Sequence, residues 1–156
     1  MYVWNFTFGS HLSSKQFSKI IGGKPLQAIP ATLSDHKLTF WPLTQYPEEF
    51  AHLATGGGPA LVAQPGSLTH GVVYQITDAQ YDAADQYEQI WGYQPFKCQV
   101  IGQDGVPIDA MAHNLTQPGP HTPPAESFLN LMLEGLAEHG YEEWVIEQVR
   151  QAAQSA

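Results

Sequence analysis

Tyr2-Val3-Trp4-Asn5-Phe6-Thr7-Phe8, followed by Gly9-Ser10-His11-Leu12, is the stretch from which the rest of the chain is read. Tyr2, Trp4, Phe6 and Phe8 alternate with Val3, Asn5 and Thr7, the period-2 pattern of a strand with one aromatic face. Gly9-Ser10 breaks the pattern. Ser13-Ser14-Lys15-Gln16 then offers a capping box for a short helix to about Ile20. Thr32 to Trp41 reads as a second strand, and 42–58, with Pro42, Pro47 and Gly56-Gly57-Gly58, as a long irregular connection. Pro59 to Ala63 and Thr69 to Ile76 read as two further strands around a hairpin turn at Gln64-Pro65-Gly66-Ser67.

Thr77-Asp78-Ala79-Gln80 is a second capping box and predicts a helix to about Gln89. Strands around Phe96–Gly102 and Val106–Asn114 flank Gln103-Asp104-Gly105, another hairpin signal. A joint containing Pro118, Pro120, Pro123 and Pro124 leads to a helix over roughly 125–139, which Gly140 stops as a left-handed cap. Tyr141 to about Gln154 repeats a 3.6 pattern through Trp144, Val145, Gln148 and Val149. Strands mixed with a few helices and a helical tail predict an α+β fold rather than alternating βαβ units.

The 156 residues suit a single domain over 1–156, long enough to bury a core without a disulfide or metal staple. Apolar residues (43%) and aromatics (12%) exclude a disordered chain. The net charge of −9 is unevenly spread. Lys15, Lys19, Lys24 and Lys37 nearly balance Asp35, Glu48 and Glu49, whereas residues 78–156 hold only Lys97 and Arg150 against twelve carboxylates. With no basic stripe, nucleic acid and anionic membranes are disfavoured as partners. No stretch approaches 18 apolar residues, and Met1–Ser10 lacks the basic start and apolar run of a signal peptide. The sequence therefore reads as soluble and cytoplasmic. Cys98 is alone and reads as a small buried group in a strand. The seven His residues show no pair at helical metal-ligand spacing, so no metal or other cofactor is expected.

Glu88 is the candidate for chemistry. At about 100° per residue, Tyr81, Ala83, Ala84, Tyr87 and Trp91 share one apolar arc, while Asp78, Asp82 and Asp85 line the opposite, solvated side. Glu88 falls at the arc's edge, near a helix C-terminus where a negative charge costs ~0.3–1 kcal/mol. No Lys or Arg occurs between Lys37 and Lys97. A half-buried carboxylate without a local cation is expected to have a raised pKa, which suits a general acid or base. A solvated helix end is the competing reading.

Phe6-Thr7-Phe8-Gly9-Ser10-His11-Leu12 resembles the N-terminal strand and loop of the γ-glutamylcyclotransferase family, usually Tyr-Gly-Ser-Asn-Leu. Further pieces follow in the family's order. They are Ala31-Thr32-Leu33 through Leu38-Thr39-Phe40, Gly58-Pro59-Ala60-Leu61-Val62, and Gly71-Val72-Val73-Tyr74. Asp85-Gln86-Tyr87-Glu88 is similar to the segment that ends in the catalytic glutamate. Pro124-Ala125-Glu126-Ser127-Phe128, with Gly135 seven residues on, resembles the C-terminal Pro-Ser-x-x-Tyr helix.

The resemblance implies a small mixed β-barrel with flanking helices and a cavity at the Gly9–His11 loop. It also implies release of 5-oxoproline from a γ-glutamyl small molecule, a lyase-type departure of an amine, with Glu88 as general acid/base. Phe8, Gly9, Ser10, His11, Leu12 and Phe128 would contact the substrate. Departures from the pattern are Phe8 for Tyr, His11 for Asn, Ala125 for Ser, Phe128 for Tyr, and Ala84 and Gln89 beside the glutamate. They thin the polar lining. The second reading is a non-catalytic module on the same fold that binds a small ligand or a partner.

Overall fold

Val72-Val73-Tyr74 is a run of large apolar side chains with no polar alternation, which a strand tolerates only when both of its faces are covered. The computed structural model, which describes residues 1–52 and 55–154, covers both. Val73 points with Phe6, Phe8, Leu33, Leu61, Val100 and Ala112 into the barrel. Val72, Tyr74 and Ile76 point outward, into a second cluster with Leu12, Phe17, Phe40, Met132, Leu136 and Val149 that roofs the barrel with helices. Each cluster fills one face of the same wall, so the small mixed barrel with flanking helices expected from the sequence is what forms.

The elements are β1 (Tyr2–Thr7), α1 (Ser14–Ile21), β2 (Gln27–Pro42), β3 (Gly57–Thr77), α2 (Asp78–Ile90), β4 (Tyr93–Gly102), β5 (Pro107–Leu115), α3 (Glu126–Glu138) and α4 (Glu143–Gln154). The strands close in the order β1-β3-β2-β4-β5. Most pairs are antiparallel; the closing contact of β1 with β5, at Asn5 and Met111, is parallel. Among the described residues no helix is long and apolar enough to cross a membrane.

The hairpin expected at Gln64-Pro65-Gly66-Ser67 is not a turn. β3 runs on for 21 residues, and those four bulge out between Ala63, paired with His36, and Leu68, paired with Ser34. Asp35 makes the bulge workable. It adopts φ +60° opposite Gly66 at φ +85°, and its Oδ1 accepts from the Gly66 N–H at 2.9 Å. Side-chain acceptance by Asp stabilises a left-handed residue, which is why the signal resembles that of a hairpin.

Gly56-Gly57-Gly58, expected as part of the irregular connection over 42–58, is instead a packing site. A Cβ on Gly57 would lie 2.0 Å from the Thr122 carbonyl oxygen, and one on Gly56 would lie 2.2 Å from the Ala125 nitrogen. The proline-rich segment thus lies directly on bare backbone, with Gly57 N–H donating to the Pro123 carbonyl. Leu53 and Ala54, within the irregular connection expected over 42–58, lie outside the described residues. On α4 the buried residues are Val145, Ile146, Val149 and Ala153. Trp144 is exposed, its indole N–H bonded to Glu142.

Burial pushes Tyr81 and Tyr141 up to about 12 and also raises Tyr74, Tyr87 and Tyr93. A folded-state pKa above the unfolded value of about 10 means stability that is complete below pH ~10 and lost as pH rises through the folded values. The expected outcome is alkaline unfolding. Phenolate absorbance of these five tyrosines should appear together with loss of circular dichroism; ionisation well before unfolding would contradict their burial.

Candidate active site

The loop after β1 is fastened from below. Tyr74, fully buried on β3, donates its hydroxyl hydrogen to the His11 carbonyl at 2.8 Å, and His139 Nε2 lies 3.0 Å from the Leu12 carbonyl. Gly135 on α3 lets the helix backbone press onto the loop, since a Cβ there would sit 2.3 Å from the Leu12 carbonyl carbon. The loop itself is a single 3-10 turn, Ser10–Leu12, closed by Leu12 N–H to the Gly9 carbonyl at 3.0 Å. Its His11 and Leu12 carbonyls face Tyr74 and His139, while that of Ser10 accepts from Ser13 N–H. The N–H groups of Ser10 and His11 take no hydrogen bond among the described residues, as the first donors of a helical turn generally do not.

These residues line a cavity of about 100 Å³ between the loop, α2 and the mouth of the barrel. Of the residues expected at the substrate, Phe8, Gly9, Ser10, His11, Glu88 and Phe128 line it. Phe8 does so while buried in the barrel cluster, and Phe128 while half-buried against the helical one. Leu12 does not line it. It is wholly buried among Phe17, Tyr74 and Leu136, because the 3-10 turn rotates its side chain away from its neighbours'.

Glu88 lies near the end of α2, its side chain about one-fifth exposed. The carboxylate was expected to lack a local partner, and along the sequence it does; the fold supplies one. His11 Nδ1 lies 3.2 Å from Glu88 Oε1, with the imidazole packed between the rings of Phe17 and Tyr87. The residue that departs from the usual Asn of the loop is thus the one that meets the glutamate. Its other nitrogen, Nε2, is buried without a hydrogen-bond partner, as is Asn5 Oδ1. Both residues line the cavity, from which water or a small molecule can reach them.

Sequence reasoning missed much of the polar lining. Asn5 and Thr7 project from the face of β1 opposite its aromatics and are buried rather than solvated. Asp85 was placed on the solvated side of α2; instead its Oδ1 lies 2.7 Å from Nε2 of His113, a buried residue of β5. The second Asp85 oxygen accepts from Gln89 at 2.9 Å. Tyr87, Trp91 and Tyr93 complete the aromatic wall. Burial and the negative charge of Glu88 raise Tyr93 well above its usual range, so its hydroxyl stays a donor and bonds the Pro59 carbonyl at 2.7 Å. The cavity nonetheless keeps polar side chains, those of Asn5, Thr7 and His113, beside Phe8 and Phe128. Only polar residues interrupting the apolar pattern of β1 could have signalled this.

Cys98 is a free thiol on β4, pushed by burial up to about 11 and remote from the cavity lining. Among the described residues no group of three or more His, Cys, Asp or Glu side chains is placed to hold a metal ion.

The mixed five-stranded closed barrel with its four helices matches the fold of solved structures that this chain resembles. Residues 5–130 match the family model described as gamma-glutamyl cyclotransferase, AIG2-like, and the chain belongs to that family. No curated protein matches the sequence. A solved gamma-glutamyl cyclotransferase is similar in fold, with 20% identity and a TM-score of 0.83 over 100% of this chain and 90% of that one. An uncharacterized protein from Homo sapiens is 21% identical, TM-score 0.83, over 99% of this chain and 89% of that one. A yeast gamma glutamyl cyclotransferase specific to glutathione is 14% identical, TM-score 0.67, over 97% and 96% of the two chains. These likenesses establish the fold.

Gly135→Ala tests the tether. The added methyl group has backbone, not a flexible side-chain end, in its way, and overpacking of this kind costs ~1–3 kcal/mol. Chemical denaturation should show that loss with an unchanged m-value. A variant as stable as the parent would show that α3 does not bear on the loop.

Proposed function

We propose that this protein is a γ-glutamyl cyclotransferase that releases 5-oxoproline from a γ-glutamyl compound, with Glu88 as general acid/base. The observation that carries this reading is one partly shielded carboxylate sharing a cavity with two unengaged peptide N–H groups, those of Ser10 and His11.

Closing a five-membered ring is intramolecular, so holding the glutamyl chain curled removes much of the barrier. The walls formed by Phe8, Tyr87, Trp91 and Phe128 restrict that chain. Main-chain donors at Ser10 and His11 hold negative charge on the substrate without having to reorganise. What remains is proton transfer. As the substrate's α-amine bonds to its γ-carbonyl carbon, Glu88 takes a proton from the attacking nitrogen. The departing nitrogen must gain one as the old amide bond breaks. His11, beside Oε1, holds the carboxylate in place.

Glu88→Gln keeps the shape and removes the proton acceptor. Release of 5-oxoproline should fall by ~10²–10⁴-fold, the usual worth of a positioned proton carrier, with little change in thermal stability. Equal rates for parent and variant would remove Glu88 from the mechanism. Binding of γ-glutamyl compounds by the parent without turnover would favour a ligand-binding module instead.

A further inference from the structure

Glu88 is not the only carboxylate that α2 directs at a histidine. Asp85 lies three residues earlier, so the two occupy neighbouring places on one helix face. Glu88 meets His11 of the loop, while Asp85 meets His113 on the far wall, from β5. His113 lines the same cavity and is buried, and the ring of Tyr81 stacks on it with centroids 6.1 Å apart. Its Nε2 is taken by Asp85, so Nδ1 is the ring position not committed to that carboxylate. A carboxylate on one imidazole nitrogen fixes the ring and its orientation, so that proton exchange falls to the other nitrogen. Asp85 is itself held by Gln89, which suits a part that must not move.

We propose that His113, backed by Asp85, is a second acid–base group of this cavity, one that protonates the departing nitrogen. The inference rests on the cyclotransfer reading and divides its proton transfers between two groups. The substrate's α-amine enters the step neutral, having released its first proton to water. Its lone pair forms the new C–N bond while the carbonyl π pair moves onto oxygen, and Glu88 accepts a proton from the attacking nitrogen. The oxygen pair then returns, the old C–N bond breaks, and its electrons take the proton from the His113 imidazolium. Lactam and free amine result. Glu88, now a carboxylic acid, returns its proton to His113 through water, which restores both groups.

The test varies the leaving group. An alkylamine nitrogen cannot depart without a proton, whereas a para-nitroaniline nitrogen can. With γ-glutamyl alkylamide, His113→Asn should lose ~10²–10⁴-fold in 5-oxoproline release, the range for a general acid, while γ-glutamyl para-nitroanilide should lose no more than ~10-fold. Asp85→Asn should show the same selectivity and carries the test if the His113 variant does not fold. Equal slowing of both substrates would make His113 a purely structural residue and overturn the proposal, as would unchanged rates for both. A parent protein that releases 5-oxoproline from neither substrate would overturn the cyclotransfer reading and this inference with it, an outcome distinct from the other two.

Discussion

A buried tyrosine hydroxyl beneath a loop carbonyl is the contact on which the cavity depends. Tyr74 reaches up from the middle of β3 to the His11 carbonyl, and His139 lies beneath the Leu12 carbonyl. The Ser10 and His11 N–H groups share their peptide units with the Gly9 and Ser10 carbonyls, which accept from Leu12 and Ser13 within the turn. The donors on the opposite edge of those units stay unengaged among the described residues. The same turn buries Leu12 and sets His11 against Glu88. Tyr74 is neutral in this role because burial raises its pKa, and a neutral phenol is the form that can donate.

The two clusters explain how so small a chain frames a site at all. Inside the barrel, Phe6, Val73 and Val100 pack together; outside it, the helices α1, α3 and α4 rest on Val72, Tyr74 and Ile76. The cavity lies at the edge of both clusters, where Phe6 and Phe8 of one and Ala84 and Phe128 of the other line it. There α2 crosses the barrel mouth, and β1 carries Asn5 and Thr7 in place of apolar residues. Two half-shielded carboxylates one helical turn apart would repel, and each is instead matched by a histidine from a different strand or loop. That matching requires no cation near Glu88 in the sequence, which is why the charge pattern of α2 looked unbalanced.

Local chemistry was the legible part. The capping box at Thr77 and Gln80 forms with both of its bonds, and the left-handed glycines at 105 and 140 stand where the chain turns. At Ser13 only the backbone half of the box is made, and Gln16 lines the cavity. Glu88 and most of the loop were found through family resemblance and helical projection together. Asp85 and His113 were not, because a helical projection assigns faces relative to one core, and α2 has contacts on two sides. Gln64–Ser67 and Gly56–Gly58 were misread for a shared reason. Gly and Pro report that the backbone does something unusual, without saying whether it turns, bulges or is approached closely by another segment.

The bulge opposite Asp35 has a consequence for how this barrel can change. Its four residues interrupt the β2–β3 ladder only locally, because pairing resumes on either side, and a side chain at Gly66 would meet open space. None of the four lines the cavity. The wall therefore has a place where chain length is decoupled from the cavity, so that foreign peptide spliced between Pro65 and Gly66 would ride on the outside of the scaffold and leave the cavity behind it undisturbed.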